Sequence, residues 1–257
     1  MEQWQDQGIV LHVRPHGESG AIINVLTKQN GRAAGYVRGA RSSRMRGSLE
    51  LGSVVDVQWS SRTSDGLGSF SIELVKSYAA DYMGDALKLS ALQSACELCN
   101  QALPEREKHE GLYHGLLVLF EQFASDIWGA AYVMWEIALL KELGFSLDLT
   151  QCAGGGDAMS LAYVSPKTGR AVSYSAGEIY KEKLLKLPDF LKPQGGSGDD
   201  EEILKGIDLC GYFLGRWVFA HHSHGIPAPR LLFAERFAKT IGEQGLEKKE
   251  NRDYVTG

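Results

Sequence analysis

The 257 residues contain no apolar run near the ~18–20 residues a helix needs to cross a bilayer. The opening segment, MEQWQDQGIV, carries two acids and neither a basic stretch nor an apolar one, which argues against a secretory signal. Cysteine is scarce, with four residues in the chain. That excludes a disulfide scaffold and fits a reducing, cytoplasmic setting. Catalytic signatures are missing too. There is no phosphate loop ending in Gly-Lys-Ser/Thr, no G-x-S-x-G elbow and no H-E-x-x-H. The acids form no paired cluster on an expected strand or loop, so no residue is assigned a catalytic role and no cofactor is expected. Negative charge is missing locally as well: between Glu18 and Glu50 there is no acid, but six bases, Lys28, Arg32, Arg38, Arg41, Arg44 and Arg46. The whole chain has net charge −5, and residues 1–80 hold 9 bases against 7 acids. A one-sign stretch inside a mildly acidic protein points to a local anion-binding face.

What is present divides by periodicity. In residues 1–80, Ile9, Leu11 and Val13 alternate with their neighbours, and 21–27 is a β-branched run closed by Asn30-Gly31, a strong hairpin turn. Strands are expected again over 32–39, over 53–59 with Val55, Val57 and Trp59, and around Phe70, Ile72 and Leu74. Five short strands in that length suit a small closed barrel such as an OB-fold. From Asp81 the period becomes helical. Leu89, Leu92, Cys96, Cys99 and Leu103 form one stripe, Leu112, Leu116, Leu119 and Phe123 a second, and Val133, Ile137 and Leu140 a third that ends at a C-capping Gly144. The cleanest stripe runs Ile203, Ile207, Cys210, Leu214, Trp217, His221, and a last helix is expected over about 230–241. Residues 151–174, with Cys152, Gly154-Gly155-Gly156 and a turn at Pro166–Gly169, read as a small insertion in the helical domain. Ser175 and Glu178 give a capping-box signature. The expected domains are therefore a barrel over 1–80, a helical domain over 81–150 and 175–242, the insertion over 151–174, and a disordered tail over 243–257.

The arginines in GYVRGARSSRMRGS sit in a Gly- and Ser-bearing loop that leaves a strand. Arginine suits phosphate because its planar fork donates bidentate hydrogen bonds and its charge is permanent. On a five-stranded barrel, such a loop borders the face that binds single strands. Tyr36 and Trp59 are stacking candidates, although strand aromatics are more often core. Cys96-Glu97-Leu98-Cys99 falls on an apolar helix stripe and reads as packing, as does Cys210. His221 and His224 share a helix face but have no further ligand at metal spacing. Cys152 has no second cysteine at +2 to +4 and no pair in 153–180, so one ligand makes no zinc site.

The run Gly8-Ile9-Val10-Leu11, with Arg14, Gly17-Glu18, Thr27, Gly31 and Gly39-Ala40-Arg41, resembles RecO, a bacterial recombination-mediator family. So do Leu139–Phe145 (LLKELGF) followed by Leu149 and Cys152, and the segment Leu214–Phe233 with Arg230 after Pro229. No single motif is highly specific; order and spacing along nearly the whole chain carry the likeness. The resemblance implies an α+β multidomain chain: an N-terminal OB-fold, a helical domain and a zinc-ribbon-like insertion. It implies binding of single- and double-stranded DNA and annealing of complementary strands. It also implies partnership with RecR and with the acidic tail of single-stranded DNA-binding protein, RecA loading, and RecF as a functional partner. Many members carry two cysteine pairs in the insertion; here Cys152 alone matches, and the other places fall near Gly155, Ser173 and Ala176. The insertion is therefore expected to be degenerate and without metal. The DNA-binding assignment is Arg38, Arg41, Arg44 and Arg46, supported by Arg14, Lys28 and Arg32. By analogy, Lys141 and Arg216 are assigned to the carboxylates of the acidic tail. A cytoplasmic, nucleoid-associated location follows from the family. The competing reading is an adaptor whose basic barrel face grips an acidic protein.

Overall fold

A computed structural model describes residues 2–63 and 66–242, apart from the side chain of Arg44. The expected disordered tail, 243–257, lies outside the described residues. The chain forms two compact units, Met1–Ala124 and Ser125–Gly257.

The first unit is built on a closed five-stranded barrel of β1 (Glu2–His16), β2 (Gly20–Thr27), β3 (Gly31–Val37), β4 (Ser53–Ser61) and β5 (Gly68–Ser77), in the order β1-β2-β3-β5-β4. β1 is long because it pairs twice. Its first half runs antiparallel to β4, and its second half runs antiparallel to β2 with a bulge between Val10 and His12. Parallel pairing of Gly35 and Tyr36 with Gly68 and Ser69 closes the barrel. The turn into β3 is fixed from three sides. Gly31 takes φ +68°, and Asp6 Oδ2 accepts from the amides of Gln29 and Asn30 and from Asn30 Nδ2. Val10, Ile23, Val25, Val55, Val57, Trp59 and Phe70 fill the interior.

β1 is buried on both faces: Ile9 and Leu11 are fully buried alongside Val10, and successive side chains of a strand point to opposite sides. α1 (Ala86–Ala102) packs on β1 and β2 and accounts for the second face. Asp85 caps α1 by accepting from the amides of Leu87 and Lys88. α2 (Glu110–Gln122) follows, with Leu112, Leu116 and Leu119 buried as the periodicity predicts. Helical period alone groups both helices with the later ones; in the structure they share the barrel's compact unit.

The second unit holds α3 (Trp128–Glu142), a three-stranded sheet of β6 (Leu161–Val164), β7 (Ala171–Ser173) and β8 (Leu185–Lys186) in the order β7-β6-β8, then α4 (Asp200–Phe213) and α5 (Ala228–Val255), described through residue 242. Gly144 follows α3 at φ +87°, where the Phe145 amide reaches back to the Leu140 carbonyl, so the expected C-cap forms. The sheet runs past residue 174, because β8 pairs with β6 from a segment that the sequence reading places in the helical domain. The short helix Tyr174–Gly177 is capped by Ser173, not Ser175: Ser173 Oγ accepts from the Ala176 amide. The stripe of α4 does not continue to His221. A π-turn over Leu214–Val218 ends the helix and leaves His221 exposed on the following turns. Gly169 is required beneath Trp217, since a Cβ there would lie 2.7 Å from the indole. Trp217 stacks on Phe145 in turn.

Inside this unit, Arg230 of α5 forms a fork with Glu136 of α3, Nε to Oε1 at 2.5 Å and Nη2 to Oε2 at 2.9 Å. Nη2 also donates to the Ile207 carbonyl of α4, and the Tyr132 hydroxyl donates to Glu136 Oε1. Both charged side chains are essentially water-free, at 2% and 0% exposure. Three helices are thus tied at one point.

Candidate nucleic-acid interface

The arginine loop leaves β3 at Val37 and turns through Gly39 at φ +65°. Ala40 and Leu49 are buried and Met45 packs against the barrel interior, so apolar side chains pin the loop while Arg38, Arg41 and Arg46 face water. The Arg41 amide donates to the Ser19 carbonyl, and Arg41 Nη1 donates to the Glu18 carbonyl at 2.9 Å. These bonds join the loop to the β1–β2 turn. Cross-strand register brings more groups to the same end: Arg14, Ile22 and Tyr36 are consecutive partners across β1, β2 and β3. Tyr36 lies over Gly20, where a Cβ would sit 2.2 Å from its hydroxyl, and His16 meets its ring edge-on at 6.1 Å. Arg14, Arg38 and Arg46 make no ion pair among the described residues. The loop backbone carries Arg44 between Ser43 and Met45, but its side chain is outside the described residues.

The structure does not bring all seven assigned bases together. Lys28 and Arg32 sit at the opposite end of the β2–β3 hairpin. Arg32 is tied up there: Nε donates to the Leu103 carbonyl at 2.8 Å, and Nη1 lies 3.6 Å from Glu105. Burial lowers its pKa, against the opposing pull of Glu105. Trp59 is core, 2% exposed, with Nε1 donating to the Ala34 carbonyl and Trp4 stacked on it. Tyr36 is half-buried on the outer surface. Sequence reasoning missed His16, whose only signal was its even spacing from His12 and Arg14 along one strand. A cavity of about 950 Å³ lined by β1, β4, β5 and by Met45 and Ser48 of the arginine loop carries Asp6, Asp56 and Glu73, carboxylates that repel phosphate and bound the cationic face on that side.

A family model described as the N-terminal part of recombination protein O matches residues 1–78, and one for its C-terminal part matches residues 83–221. The chain belongs to the recombination protein O family. Its relatives include proteins named DNA repair protein RecO. That of Rhodospirillum centenum is 46% identical over 95% of this chain and 98% of its own length. That of Rhodospirillum rubrum is 42% identical over 93% and 98%, and that of Caulobacter vibrioides 40% identical over 92% and 98%.

For this member of the family the insertion does not fit zinc. Of the corresponding places, Ser173 lies against Cys152 Sγ, whereas a Cβ on Gly155 would meet nothing within 4 Å. Only Cys152 among them can ligate, and no cluster of three or more His, Cys, Asp or Glu ligands exists among the described residues. The His221–His224 stretch makes no such cluster either. Hydrogen bonds replace metal bonds around Cys152. The Ser173 amide donates to Sγ at 3.2 Å, and the Ser173 hydroxyl lies 3.4 Å away. Burial pushes the thiol pKa up, but Ser173 and the amides of Gly154 and Gly156 outweigh it and bring it to about 7. The other thiols are inert, with Cys99 pushed up to about 12 by burial and Cys96 and Cys210 well above their ordinary value.

Two results are expected. Purified protein holds close to no zinc by plasma mass spectrometry and keeps its melting temperature in a chelator. Iodoacetamide labels Cys152 first, with a pH midpoint near 7 by peptide mapping, and leaves Cys96, Cys99 and Cys210 unlabelled until unfolding. One zinc per chain would contradict the first result, and labelling of the buried thiols before Cys152 the second.

Proposed function

We propose that this chain is a non-enzymatic mediator of DNA repair and recombination, which binds DNA backbone through the loop end of its barrel. One observation carries the reading: solvent-facing Arg14, Arg38 and Arg46, with no acidic partner among the described residues, share one barrel end with Arg41. Arg44 lies on the same loop. With the charge of Arg44 these residues supply five cations that neutralise phosphates and release counterions, and they contact backbone rather than base edges, so sequence preference is weak. Tyr36 and His16 add a surface on which a base can stack. Lys28 and Arg32 stand apart from this cluster. Annealing follows from holding screened strands close together and needs no reacting group.

The relatives' names point to the same process, repair of DNA. RecR, the acidic tail of single-stranded DNA-binding protein, and loading of RecA are the partners and outcome that the family reading adds, with RecF as a further functional partner and a cytoplasmic, nucleoid-associated location. Lys141 and Arg216, both exposed, are the proposed holders of the tail's carboxylates.

The test is fluorescence anisotropy with a labelled single-stranded oligonucleotide at several salt concentrations. Five engaged cations predict a log–log salt slope of roughly −3.5. Competition by unlabelled DNA of unrelated sequence should be complete. A folded protein that binds no oligonucleotide at low salt overturns the reading and leaves the basic loop to an acidic protein partner.

A further inference from the structure

The segment that forms the β7-β6-β8 sheet and its connections carries cationic and aromatic side chains that the barrel site does not use. Between Leu161 and Lys186 the chain has five bases, Lys167, Arg170, Lys181, Lys183 and Lys186, against two acids, Glu178 and Glu182, and all five bases are exposed. Lys181 is paired with Glu178 at 2.9 Å and Arg170 with Asp148 at 3.5 Å. Lys167, Lys183 and Lys186 make no ion pair among the described residues. The rest of Ser125–Gly257 has an excess of acids, so this charge is local.

Three large side chains stand in water beside it: Tyr174 at 57% exposure, Ile179 at 85% and Tyr180 at 59%. Exposed apolar groups beside an excess of positive charge mark a binding surface. Tyr180 and Arg170 line an open cavity of about 410 Å³ together with Val172, Ala176 and Leu184. Its lining is mostly apolar and includes a planar ring and a guanidinium. That combination admits a flat aromatic ring, while the exposed lysines of the same segment suit a chain of phosphates.

We propose that this face is a second site for single-stranded nucleic acid, with phosphates on Lys167, Lys183 and Lys186 and a base against Tyr180. It rests on the reading of the chain as a DNA binder and deepens it. One strand on the barrel and a second on this face would hold two screened strands on one molecule and so speed their annealing.

The test uses the full chain and two variants, Lys167→Ala/Lys183→Ala/Lys186→Ala and Tyr180→Ala. A first labelled strand should bind both within about twofold of wild type, because the barrel is intact. Annealing of complementary strands, followed by fluorescence quenching, should slow about tenfold in each. The salt slope for capture of a second strand should weaken by about 2 in the lysine variant. Lys167→Arg/Lys183→Arg/Lys186→Arg should anneal like wild type. Annealing at the wild-type rate by the folded alanine variants overturns the second site while leaving the barrel reading intact. Loss of polyglutamate capture with annealing unchanged would assign the surface to an acidic protein and also overturn it. A wild-type protein that binds no oligonucleotide removes the barrel reading and this one together.

Discussion

Arg230→Ala is expected to destabilise the second unit by about 3–5 kcal/mol, the usual cost of leaving one member of a buried pair without its partner. Glu136 is fully buried, and with Arg230 gone it keeps neutral neighbours, the Tyr132 hydroxyl and the Cys210 thiol, in place of the cation. The Ile207 carbonyl loses its Nη2 donor as well. The melting midpoint should fall by about 10 °C or more. Salt should change this loss little, because water and ions do not reach the pair. Arg230→Lys should recover only part of it, since an ammonium cannot reproduce the two-pronged contact. The double variant Glu136→Leu/Arg230→Met, which removes both charges, should be more stable than Arg230→Ala. Thermal unfolding followed by calorimetry and tryptophan fluorescence decides this. A midpoint within 2 °C of wild type for Arg230→Ala would show that the pair does not hold the helices together.

Removing Arg38, Arg41, Arg44 and Arg46 together as alanines is expected to weaken single-strand binding by two to three decades at low salt. Each lost phosphate contact takes about 0.7 from the log–log salt slope, so four should flatten it by roughly 2.8. The variant should fold normally, because Arg38, Arg41 and Arg46 are exposed and the loop is pinned by Ala40, Met45 and Leu49. Arg41 gives up one hydrogen bond, to the Glu18 carbonyl, but its amide still holds Ser19. Arg32→Ala should behave differently: it removes the contacts to Leu103 and Glu105, so it should lower stability while leaving the salt slope nearly unchanged. Equal slopes for the four-arginine variant and the wild type would rule out the loop as the DNA contact. Titration at two salt concentrations beside a melting curve separates the two effects.

Much of this molecule is legible in its periodicities. The alternation through Val55, Val57 and Trp59 and the turn at Asn30-Gly31 mark barrel strands, because a side-chain period of 2 sorts residues to inside and outside before any contact is known. The stripes through Cys96 and Cys99 and through Ile203, Ile207 and Cys210 do the same for helices and give the right environment for three thiols. The arginine loop is legible too, since a run without acids needs no partner to be recognised. Other features depend on distance along the chain. Whether Arg32 faces a ligand or the Leu103 carbonyl is decided 71 residues away. β8 belongs to the sheet only because Lys186 meets Tyr163. α1 shares the barrel's compact unit because it packs on β1 and β2, against the outward face that carries Ile9 and Leu11.

The sequence by itself determined the element types, the burial of Cys96, Cys99 and Cys210, the missing zinc ligands and the position of the cationic loop, all of which follow from local spacing and residue chemistry. The tertiary structure alone decided which cations stand together, that Tyr36 and His16 share a surface over Gly20, that Trp59 is core, and that Glu136 and Arg230 tie three helices. Those outcomes depend on strand register and helix packing, which bring together residues from distant parts of the chain, and no local pattern encodes that closeness.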